Sequence, residues 1–400
     1  MHARDIRIAD YTYQLPEDRI AQAPLPDRDA SKLLVLRDGR VTDRIFRDLS
    51  EELPSGSLLV LNETKVVHAR LVFHRPTGAR IEVLCLSPCH GLPVEAALAQ
   101  HAESEWQCFI GNAKRWKDGE VLRLEVNGIE LRAERVAPEV VRFRWSGTIT
   151  FAEVLLKVGH VPLPPYMKRN DEPDDRERYN TVFARHEGSV AAPTASLHFT
   201  PEVLRALENK NIGTARLTLH VGAGTFLPVK SERMDDHAMH VEEVRFPIGA
   251  LEQVRAQIGK APIVVVGTTA LRTLESVYWH GVQLLNGSVR ETMDVQQWEP
   301  YADGAHLPTA AEALDSVIAR MKANGSSTLT GRTQILIAPG YRFRFPDALI
   351  TNFHQPQSTL ILLVAAFVGE QWRNVYTHAL DSGYRFLSYG DGSLLWRNRD

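Results

Sequence analysis

The chain has 400 residues, enough for two or three domains of roughly 100–200 residues each. Hydrophobic residues make up 44% and charged residues 24% of it, proportions that exclude a disordered or fibrous chain. The formal net charge of −3 excludes a nucleic-acid binder that is basic throughout, but it leaves room for a basic surface on one side.

Cysteine content and the lack of a long apolar run indicate the compartment. Cys85, Cys89 and Cys108 form no Cys-x-x-Cys pair, and an odd number argues against a disulfide framework. The first residues, MHARDIRIAD, lack the apolar core of a secretion signal. The longest apolar run, residues 360–368, falls well short of the roughly 20 residues that cross a bilayer. We therefore expect a cytoplasmic protein that does not enter a membrane.

Short strands dominate the chain from about residue 70 to residue 147. Two alternating segments, residues 121–126 and 129–133, flank Asn127-Gly128, the strongest two-residue hairpin signal. Further short strands are predicted at residues 71–73, 80–86, 106–111 and 140–145. Strands of this kind usually close as a small barrel or sandwich.

Beyond residue 150, helix signals alternate with short apolar strands. Helices are predicted to begin at Thr200-Pro201, at the Thr309/Glu312 capping box and at Ser358. Predicted strands at residues 216–221, 263–266 and 334–338 run into the loops VGAGT, GTT and APG. The alternation predicts a largely parallel or mixed sheet covered on both faces. Ligands of such sheets bind outside the carboxyl ends of the strands, so these loops are the expected site.

The two kinds of segment together predict the domain organisation. A strand-like run at residues 57–61 precedes the β-rich region, which indicates that this region is an insertion. We predict an α/β fold class: a large mixed α/β domain of residues 1–68 and 151–400, with an inserted small all-β, barrel-like domain of residues 69–150.

Two loops after predicted strands carry polar groups. Gly222, Gly224 and Thr225 follow the first strand, but the loop has neither the GxGxxG nor the GxxxxGK[ST] spacing, so it is either a binding loop or a tight turn. Thr268 and Thr269 follow the second strand and either face a ligand or merely cap a helix. Arg272 and Glu275, three residues apart, either hold polar substrate groups or form a surface pair.

Histidines supply the candidate proton-transfer groups. His198 lies in GSVAAPTASLHFT, an uncharged segment of small residues that suits a loop lining a ligand, although a lone histidine is often structural. His354 follows Asn352 just before a buried helix. His237 and His240 lack the HExxH frame, and Cys85 and Cys89 suit buried thiols better than ligands, so no metal site is predicted.

Long motifs give the chain a family resemblance. The blocks GSVAAPTASLHFT, LHVGAGTFLPV, MHVEEV, GTTALRTLES and PGYRFRFPDALITNFHQPQSTLILLVAAFVG resemble those of the S-adenosylmethionine:tRNA ribosyltransferase-isomerases of queuosine biosynthesis. YQLPEDRIAQAPLPDRDASKLLVL, LNETKVVHARL, TGARIEVL and PPYMKR extend the resemblance over nearly the whole chain. The chain departs from the family pattern at Ser196, usually Gly, and at Gln355 and Gln357, usually Leu and Lys.

The resemblance implies a reaction. Family members move the ribosyl part of S-adenosylmethionine onto 7-aminomethyl-7-deazaguanine at the tRNA wobble position and rearrange it, giving epoxyqueuosine, adenine and methionine. The donor is a consumed substrate, and neither a metal nor a redox cofactor is implied. A base must take the C5′ proton, and His198, followed by His220 and His354, is the expected candidate. The other expected substrate-binding residues are Asn62, Thr64, Lys65, Thr194, Gly222, Gly224, Thr225, Thr268, Thr269, Arg272, Glu275 and Asn352.

The implied partner is a tRNA anticodon stem-loop, and we expect a monomer with no obligate protein partner. A basic strip of Lys114, Arg115 and Lys117 beside Trp116, together with Lys168-Arg169, is the expected RNA contact; an ordinary surface turn is its alternative reading. Two other functions stay open on the residues alone. One is an S-adenosylmethionine-dependent RNA methyltransferase, disfavoured because no acidic, glycine-rich loop follows a first strand; the other is a non-catalytic RNA-binding module.

Overall fold

A computed structural model of the chain describes residues 2–126, 128–222, 229, 231–302 and 307–397. The strands are β1 (Lys32–Arg37), β2 (Arg40–Ile45), β3 (Leu58–Asn62), β4 (Thr64–Val66), β5 (Arg70–His74), β6 (Arg80–Pro88), β7 (Glu103–Gly111), β8 (Val121–Val126), β9 (Ile129–Ala137), β10 (Val140–Trp145), β11 (His186–Ser189), β12 (Gly213–His220), β13 (Glu242–Pro247), β14 (Ile263–Val266), β15 (Met293–Val295), β16 (Thr328–Thr333), β17 (Ala348–Asn352) and β18 (Gly392–Trp396).

Helices alternate with these strands mainly in the second half of the chain. They are α1 (Leu49–Glu52), α2 (Val94–Leu98), α3 (Phe151–Val158), α4 (Asp175–Arg178), α5 (Pro201–Asn209), α6 (Ile248–Gln257), α7 (Thr268–Leu285), α8 (Ala310–Ala323), α9 (Thr359–Val368) and α10 (Gln371–Asp381). Short 3-10 turns, among them Arg28–Ala30 and Thr194–Ser196, connect them.

Contacts divide the chain into two compact units. The first unit comprises residues 1–63, 181–184 and 193–400, and the second comprises residues 64–180 and 185–192. The second unit therefore holds the whole of the predicted residues 69–150 together with flanking segments. The boundaries of an independently folding inserted domain stay a prediction.

A ten-stranded sheet runs through the described part of the first unit, in the order β15-β16-β13-β12-β3-β14-β17-β18-β1-β2. Its centre, β12-β3-β14-β17, is parallel throughout. β3, β14 and β17 are apolar runs with every residue buried, as expected of strands covered on both faces. Helix α7 contacts β12, β3, β14 and β17 on one side of the sheet. Alternate strand residues, such as Leu59, Val264 and Ile350, pack on the other side with Val203 and Leu207 of α5.

The predicted helix starts are confirmed. Thr200 accepts a hydrogen bond from the backbone N–H of Val203, and Pro201 is the first residue of α5. Thr309 and Glu312 form a reciprocal capping box at α8. Ser358 accepts from the N–H of Ile361 at the start of α9. These hydroxyls satisfy N–H groups that have no partner inside the helix, which explains why the helices begin there.

The predicted strand at residues 334–338 is wrong, because β16 ends at Thr333. The N–H of Ile335 bonds to Oγ1 of Thr333, and the N–H of Ala338 bonds to the hydroxyl of Tyr301. Leu336 and Ala338 are buried in a cluster that includes Ile6, Ile8 and Met234. The run is apolar because it packs in this core, not because it belongs to a sheet, so the APG loop does not end a parallel strand.

The second unit contains a six-stranded antiparallel sheet in the order β5-β6-β7-β10-β9-β8. Its outer strands β5 and β8 contact each other, so the sheet is nearly closed as a barrel. Phe151, the first residue of α3, packs against Phe143, Trp145 and Trp106, with ring centroids 5.4, 5.2 and 5.6 Å away. The predicted fold class, mixed α/β with a small barrel-like all-β part, is confirmed.

Within the described ranges, no helix is both long and apolar enough to cross a bilayer.

Candidate functional site

Four neighbouring parallel strands bring several predicted site residues to one edge of the large sheet. The carboxyl ends of β12, β3 and β17 are His220, Asn62 and Asn352. Thr268 and Thr269 follow β14, which lies between β3 and β17. This edge is where ligands of open α/β sheets bind, and we take it as the candidate site.

Asn62 joins two of these strand ends. Its Oδ1 accepts from the N–H of Leu219 at 3.1 Å, and its Nδ2 donates to the carbonyl of Leu219 at 3.0 Å. Nδ2 also lies 3.5 Å from Oγ1 of Thr269. The side chain therefore fixes the backbone beside His220 relative to the start of α7. These contacts of Asn62 hold the strand ends in position without a substrate.

The start of α7 is built on a glycine. Gly267 is the N-cap, has φ +89, and makes no side-chain capping bond, so Thr268 and Thr269 are the first helical residues and do not cap the helix. A Cβ on Gly267 would lie 3.8 Å from Cβ of Ala195 and 3.7 Å from Oγ1 of Thr269. The 3-10 turn Thr194–Ser196 therefore approaches the start of α7 closely.

His198 lies next to this turn in a buried hydrogen-bonded chain. Thr194 Oγ1 donates to Oδ1 of Asn352 at 2.8 Å, and Nδ2 of Asn352 lies 3.5 Å from Nε2 of His198. The opposite ring nitrogen, Nδ1, is 2.7 Å from Oγ of Ser31. Ser31 was not among the predicted site residues; its only signal in the sequence is the hydroxyl within the PDRDASK block. The structure brings Thr194, Asn352 and His198 together.

Burial changes the acid–base character expected of His198. The side chain is 4% exposed and packs on Phe46 with ring centroids 5.0 Å apart. Desolvation lowers the pKa of His198 to about 4, while the carboxylate of Asp391 acts in the opposite direction. Loss of water around the ring outweighs the nearby negative charge, so the pKa lies below the ordinary value of an imidazole. The imidazole is neutral at pH 7.

The other two candidate histidines lie on the same sheet edge. His354 is buried, its Nε2 is 2.9 Å from Oγ1 of Thr351, and desolvation lowers the pKa of its ring to about 3. Tyr13 donates to its carbonyl, and its N–H donates to Tyr376. His220 is buried at the end of β12. Gly222 is described two residues further on, whereas Gly224 and Thr225 lie outside the described residues.

Arg272 and Glu275 are both buried and do not pair with each other, so the surface-pair alternative is wrong. Arg272 bonds through Nη1 to Glu242 and donates through Nε to the carbonyl of Ile335 at 3.1 Å. Glu275 accepts from the hydroxyl of Tyr341 at 2.6 Å and from the N–H groups of Arg344 and Phe345. Burial raises the pKa of Glu275. Both side chains anchor neighbouring loops, and their predicted contact with substrate stays a prediction.

Thr64 and Lys65 belong to the second compact unit. They lie in β4, which pairs in parallel with β11, and Nζ of Lys65 is 2.8 Å from Oε1 of Glu187. Their predicted substrate contacts stay predictions.

The predicted basic strip also falls in the second unit, and the structure changes it. Trp116 is 2% exposed and donates through Nε1 to the carbonyl of Glu120 at 2.9 Å, so its ring does not offer a stacking surface for a base. Arg169 makes a two-pronged pair with the buried Asp175, at 2.6 and 2.9 Å. The predicted stacking role of Trp116 is therefore wrong, because its ring is buried.

The three positions that depart from the family pattern differ in their surroundings. Gln357 has φ +55 and donates its N–H to the carbonyl of Tyr11, and the carbonyl of Gln355 accepts from Ser358. Ser196 is fully buried, and its Oγ has no hydrogen-bond partner among the described residues. Within those residues no three His, Cys, Asp or Glu side chains gather as metal ligands; that no metal is needed stays a prediction.

Comparison with known proteins decides the family. The profile of one family, described as "Queuosine biosynthesis protein", matches residues 8–395. A protein of Nitratidesulfovibrio vulgaris named S-adenosylmethionine:tRNA ribosyltransferase-isomerase is 40% identical over 413 residues, covering 98% of each chain. The chain belongs to the queuosine biosynthesis family. The resemblance stated from the motifs is thereby confirmed.

Other members of the family match with similar coverage. A protein of the same name from Xanthomonas euvesicatoria is 40% identical over 394 residues, covering 97% of this chain and 96% of that one. The crystal structure of an S-adenosylmethionine tRNA ribosyltransferase from Thermotoga maritima is 26% identical, covers 96% of this chain and 99% of that one, and has a TM-score of 0.46.

Proposed function

We propose that the chain is an S-adenosylmethionine:tRNA ribosyltransferase-isomerase. It transfers the ribosyl part of S-adenosylmethionine to 7-aminomethyl-7-deazaguanine at the tRNA wobble position and isomerises it, so that epoxyqueuosine forms and adenine and methionine leave. The observation that carries the proposal is the near-complete alignment, at 40% identity, with proteins of that name. The methyltransferase and binding-module alternatives have no comparable support.

The reaction needs a base for the C5′ hydrogen, which the neighbouring sulfonium acidifies. We assign this role to His198, because its neutral imidazole offers a lone pair at the edge where the parallel strands end. A pKa of about 4 makes the free ring a weak base. The assignment therefore requires that bound substrates change the surroundings of the ring; His220 and His354 are the alternative acceptors.

The remaining polar groups of the edge suit binding and leaving-group departure. Departing adenine needs a proton or hydrogen-bond donors, and the side chains of Asn352 and Thr194 lie near the candidate base through the contacts given above. S-Adenosylmethionine is consumed as a substrate, and the scheme includes no metal. The proposed partner is the tRNA anticodon stem-loop, bound by a monomer in the cytoplasm.

Adenine release tests the proposal. The full-length chain is incubated with S-adenosylmethionine and a synthetic anticodon stem-loop that carries 7-aminomethyl-7-deazaguanine, with and without EDTA, and the products are separated chromatographically. We expect one adenine for each modified RNA under both conditions, and none with a stem-loop that carries guanine. S-Adenosylhomocysteine in place of adenine supports the methyltransferase; RNA binding with neither product supports the binding module.

A further inference from the structure

Ser31 is the closest polar neighbour of the candidate base. It follows the 3-10 turn Arg28–Ala30 and immediately precedes β1. Its side chain is 2% exposed, and its Oγ lies 2.7 Å from Nδ1 of His198. The carbonyl of Ser31 accepts from the N–H of Phe46, the residue whose ring packs on the same imidazole. The backbone bond to Phe46 thus fixes the position of Ser31 beside the imidazole.

The direction of the bond between Ser31 and His198 follows from proton counting. Oγ of Ser31 donates its single proton to the carbonyl of Arg28 at 2.7 Å. The hydroxyl can then only accept from Nδ1, so Nδ1 carries the ring hydrogen. Nε2 is therefore the nitrogen with the free lone pair.

The free nitrogen faces the candidate site. Nε2 is 3.5 Å from Nδ2 of Asn352, the last residue of β17, and this amide is oriented by the bond from Thr194 to its Oδ1. A contact of 3.5 Å is at the limit of a hydrogen bond, so Asn352 holds the lone pair only weakly. The two sides of the ring are unequal: Nδ1 is tied firmly to the backbone through Ser31, and Nε2 is left available.

We propose that Ser31 is a positioning residue that holds His198 in the Nδ1–H tautomer, so that Nε2 is the atom that accepts the C5′ proton of the donor. The role in proton transfer rests on the proposed function, whereas the tautomer does not. In water the Nε2–H form of histidine predominates, so the environment must supply the preference. A third group that orients the base is a common feature of sites for proton transfer.

A matched control exists in the same unit. Ser57 is 1% exposed and donates its hydroxyl to the carbonyl of Pro54, three residues earlier, at 2.7 Å. Ser31 makes the same local bond to Arg28 but also accepts from His198. Ser57→Ala therefore removes an equally buried hydroxyl with the same backbone bond and leaves the histidine untouched.

The test combines ring nitrogen NMR with kinetics. Full-length protein labelled with 15N-histidine is compared for the wild type, Ser31→Ala, Ser31→Thr and Ser57→Ala, and the His198 signals are assigned by their loss in His198→Gln. We expect the wild-type ring to be protonated at Nδ1. In Ser31→Ala the Nε2–H form should gain population. We expect kcat for adenine release to fall about ten- to a hundredfold, the loss found when a partner that orients a metal-binding histidine is removed. KM should stay near the wild-type value.

The controls separate this inference from the proposed function. Ser31→Thr keeps the hydroxyl and should restore both the tautomer and most of kcat, and Ser57→Ala should change neither. A wild-type ring protonated at Nε2 would overturn the inference, even if Ser31→Ala fails to fold. So would a loss of kcat in Ser31→Ala no greater than that in Ser57→Ala. A wild-type protein that releases no adenine overturns the proposed function, while the tautomer is still read from the NMR signals.

Discussion

The burial of His198 governs what this residue can do. A ring in contact with Phe46 and almost free of water is neutral at pH 7 and cannot gain a proton cheaply. The same burial keeps competing water away from Nε2, which suits a base that must remove a hydrogen from carbon. Under the proposed assignment, proton transfer then depends on bound substrates changing the surroundings of the ring.

Loss of the ring should stop proton removal without unfolding the protein. In His198→Ala we expect adenine release to fall by about 10²–10⁴-fold, the usual contribution of a positioned base. Tritium washout from donor labelled at C5′, measured with the modified stem-loop present, should fall with it. If washout persists while adenine release stops, His198 acts later, as the acid for adenine. If donor binding and the melting temperature fall instead, the histidine is structural, and His220 or His354 becomes the candidate.

The lowered pKa of His198 also has a consequence for stability. The unfolded chain protonates this residue near pH 6.5, but the folded chain does so only near pH 4, so the unfolded state binds more protons in between. The contribution of the neutral His198 ring to the unfolding free energy is complete above pH 6.5 and is lost as the pH falls towards 4. Between pH 7.5 and 5, His198→Gln should therefore lose about 2 kcal/mol less unfolding free energy than the wild type.

Urea denaturation at the two pH values measures this difference. His74→Gln, which removes an exposed histidine, serves as the control and should behave as the wild type does. Equal pH dependence in His198→Gln and the wild type would mean that the ring is not buried in a neutral form.

Some residue-level features could be predicted from the sequence and others could not. Thr268 and Thr269 follow a predicted apolar strand, whereas Asn352 was named from a family motif before a buried helix and Asn62 among the residues that the resemblance implies. The structure places all four at one sheet edge, and their contact with substrate stays a prediction. Ser31 was missed, since it approaches His198 across 167 positions of the chain and its neighbours give no periodic signal. Burial of Trp116 was missed for a different reason, because only the closed barrel shows that the ring faces inward.

Among the elements, α7 connects the candidate site to the rest of the first unit. Its first residues follow β14 at the site edge, and its later residues hold the loops at residues 335–345 through Arg272 and Glu275. Further along, Gly281 lies against α8. A Cβ on Gly281 would come within 2.3 Å of the carbonyl oxygen and 2.9 Å of Cα of Ala313. The two helices can pack this closely only because Gly281 has no side chain.

The space around two glycines predicts different effects when each is replaced by alanine. Gly281→Ala places a methyl group against backbone atoms that cannot rotate away, so we expect a loss of about 1–3 kcal/mol of unfolding free energy. Gly249→Ala, in the first turn of α6, meets nothing within 4 Å and should not lose stability, since alanine has the higher helix propensity. Urea denaturation of both variants provides the comparison. If the two variants were equally stable, α7 and α8 would not be packed as closely at Gly281 as the structure shows.

Element prediction succeeded where local chemistry sets the element. The helices after Thr200, Thr309 and Ser358 begin at side chains that bond their own first turns, and such signals are local. The predicted strand at 334–338 failed, because an apolar run in a packed loop and an apolar run in a buried strand look alike in sequence. The end of the loop after β12 lies outside the described residues, so its predicted contacts stay untested.

For the molecule as a whole, a net charge of −3 means that RNA binding must depend on where the cations lie. On the barrel surface, Arg142 pairs with Glu105, Arg144 with Glu103, and Arg132 with Glu130. These cations are largely neutralised by carboxylates. Lys114, Arg115 and Lys117 lie in or next to one 3-10 turn of the same unit and remain the predicted phosphate contacts.

Two sets of substitutions compare these surfaces. Replacing Lys114, Arg115 and Lys117 together by Ala should weaken binding of the modified stem-loop. It should also reduce the steepness of log affinity against log salt by about 2, because fewer phosphate contacts form and fewer counterions are released on binding. Replacing Arg142 and Arg144 by Ala should leave the slope unchanged. Fluorescence anisotropy titrations at several salt concentrations give both slopes. If the triple variant and the wild type had identical slopes, these three cations would not contact the RNA phosphates.

The fate of the donor carbons tests the central claim most directly. The protein is incubated with the modified stem-loop and with S-adenosylmethionine labelled with 13C either in the ribose or in the S-methyl group, and the wobble nucleoside is then analysed by mass spectrometry. We predict that the ribose label enters the RNA in step with adenine release and that the methyl label stays with methionine. Methyl label in the RNA, or RNA without label despite bound donor, would contradict the proposed ribosyl transfer.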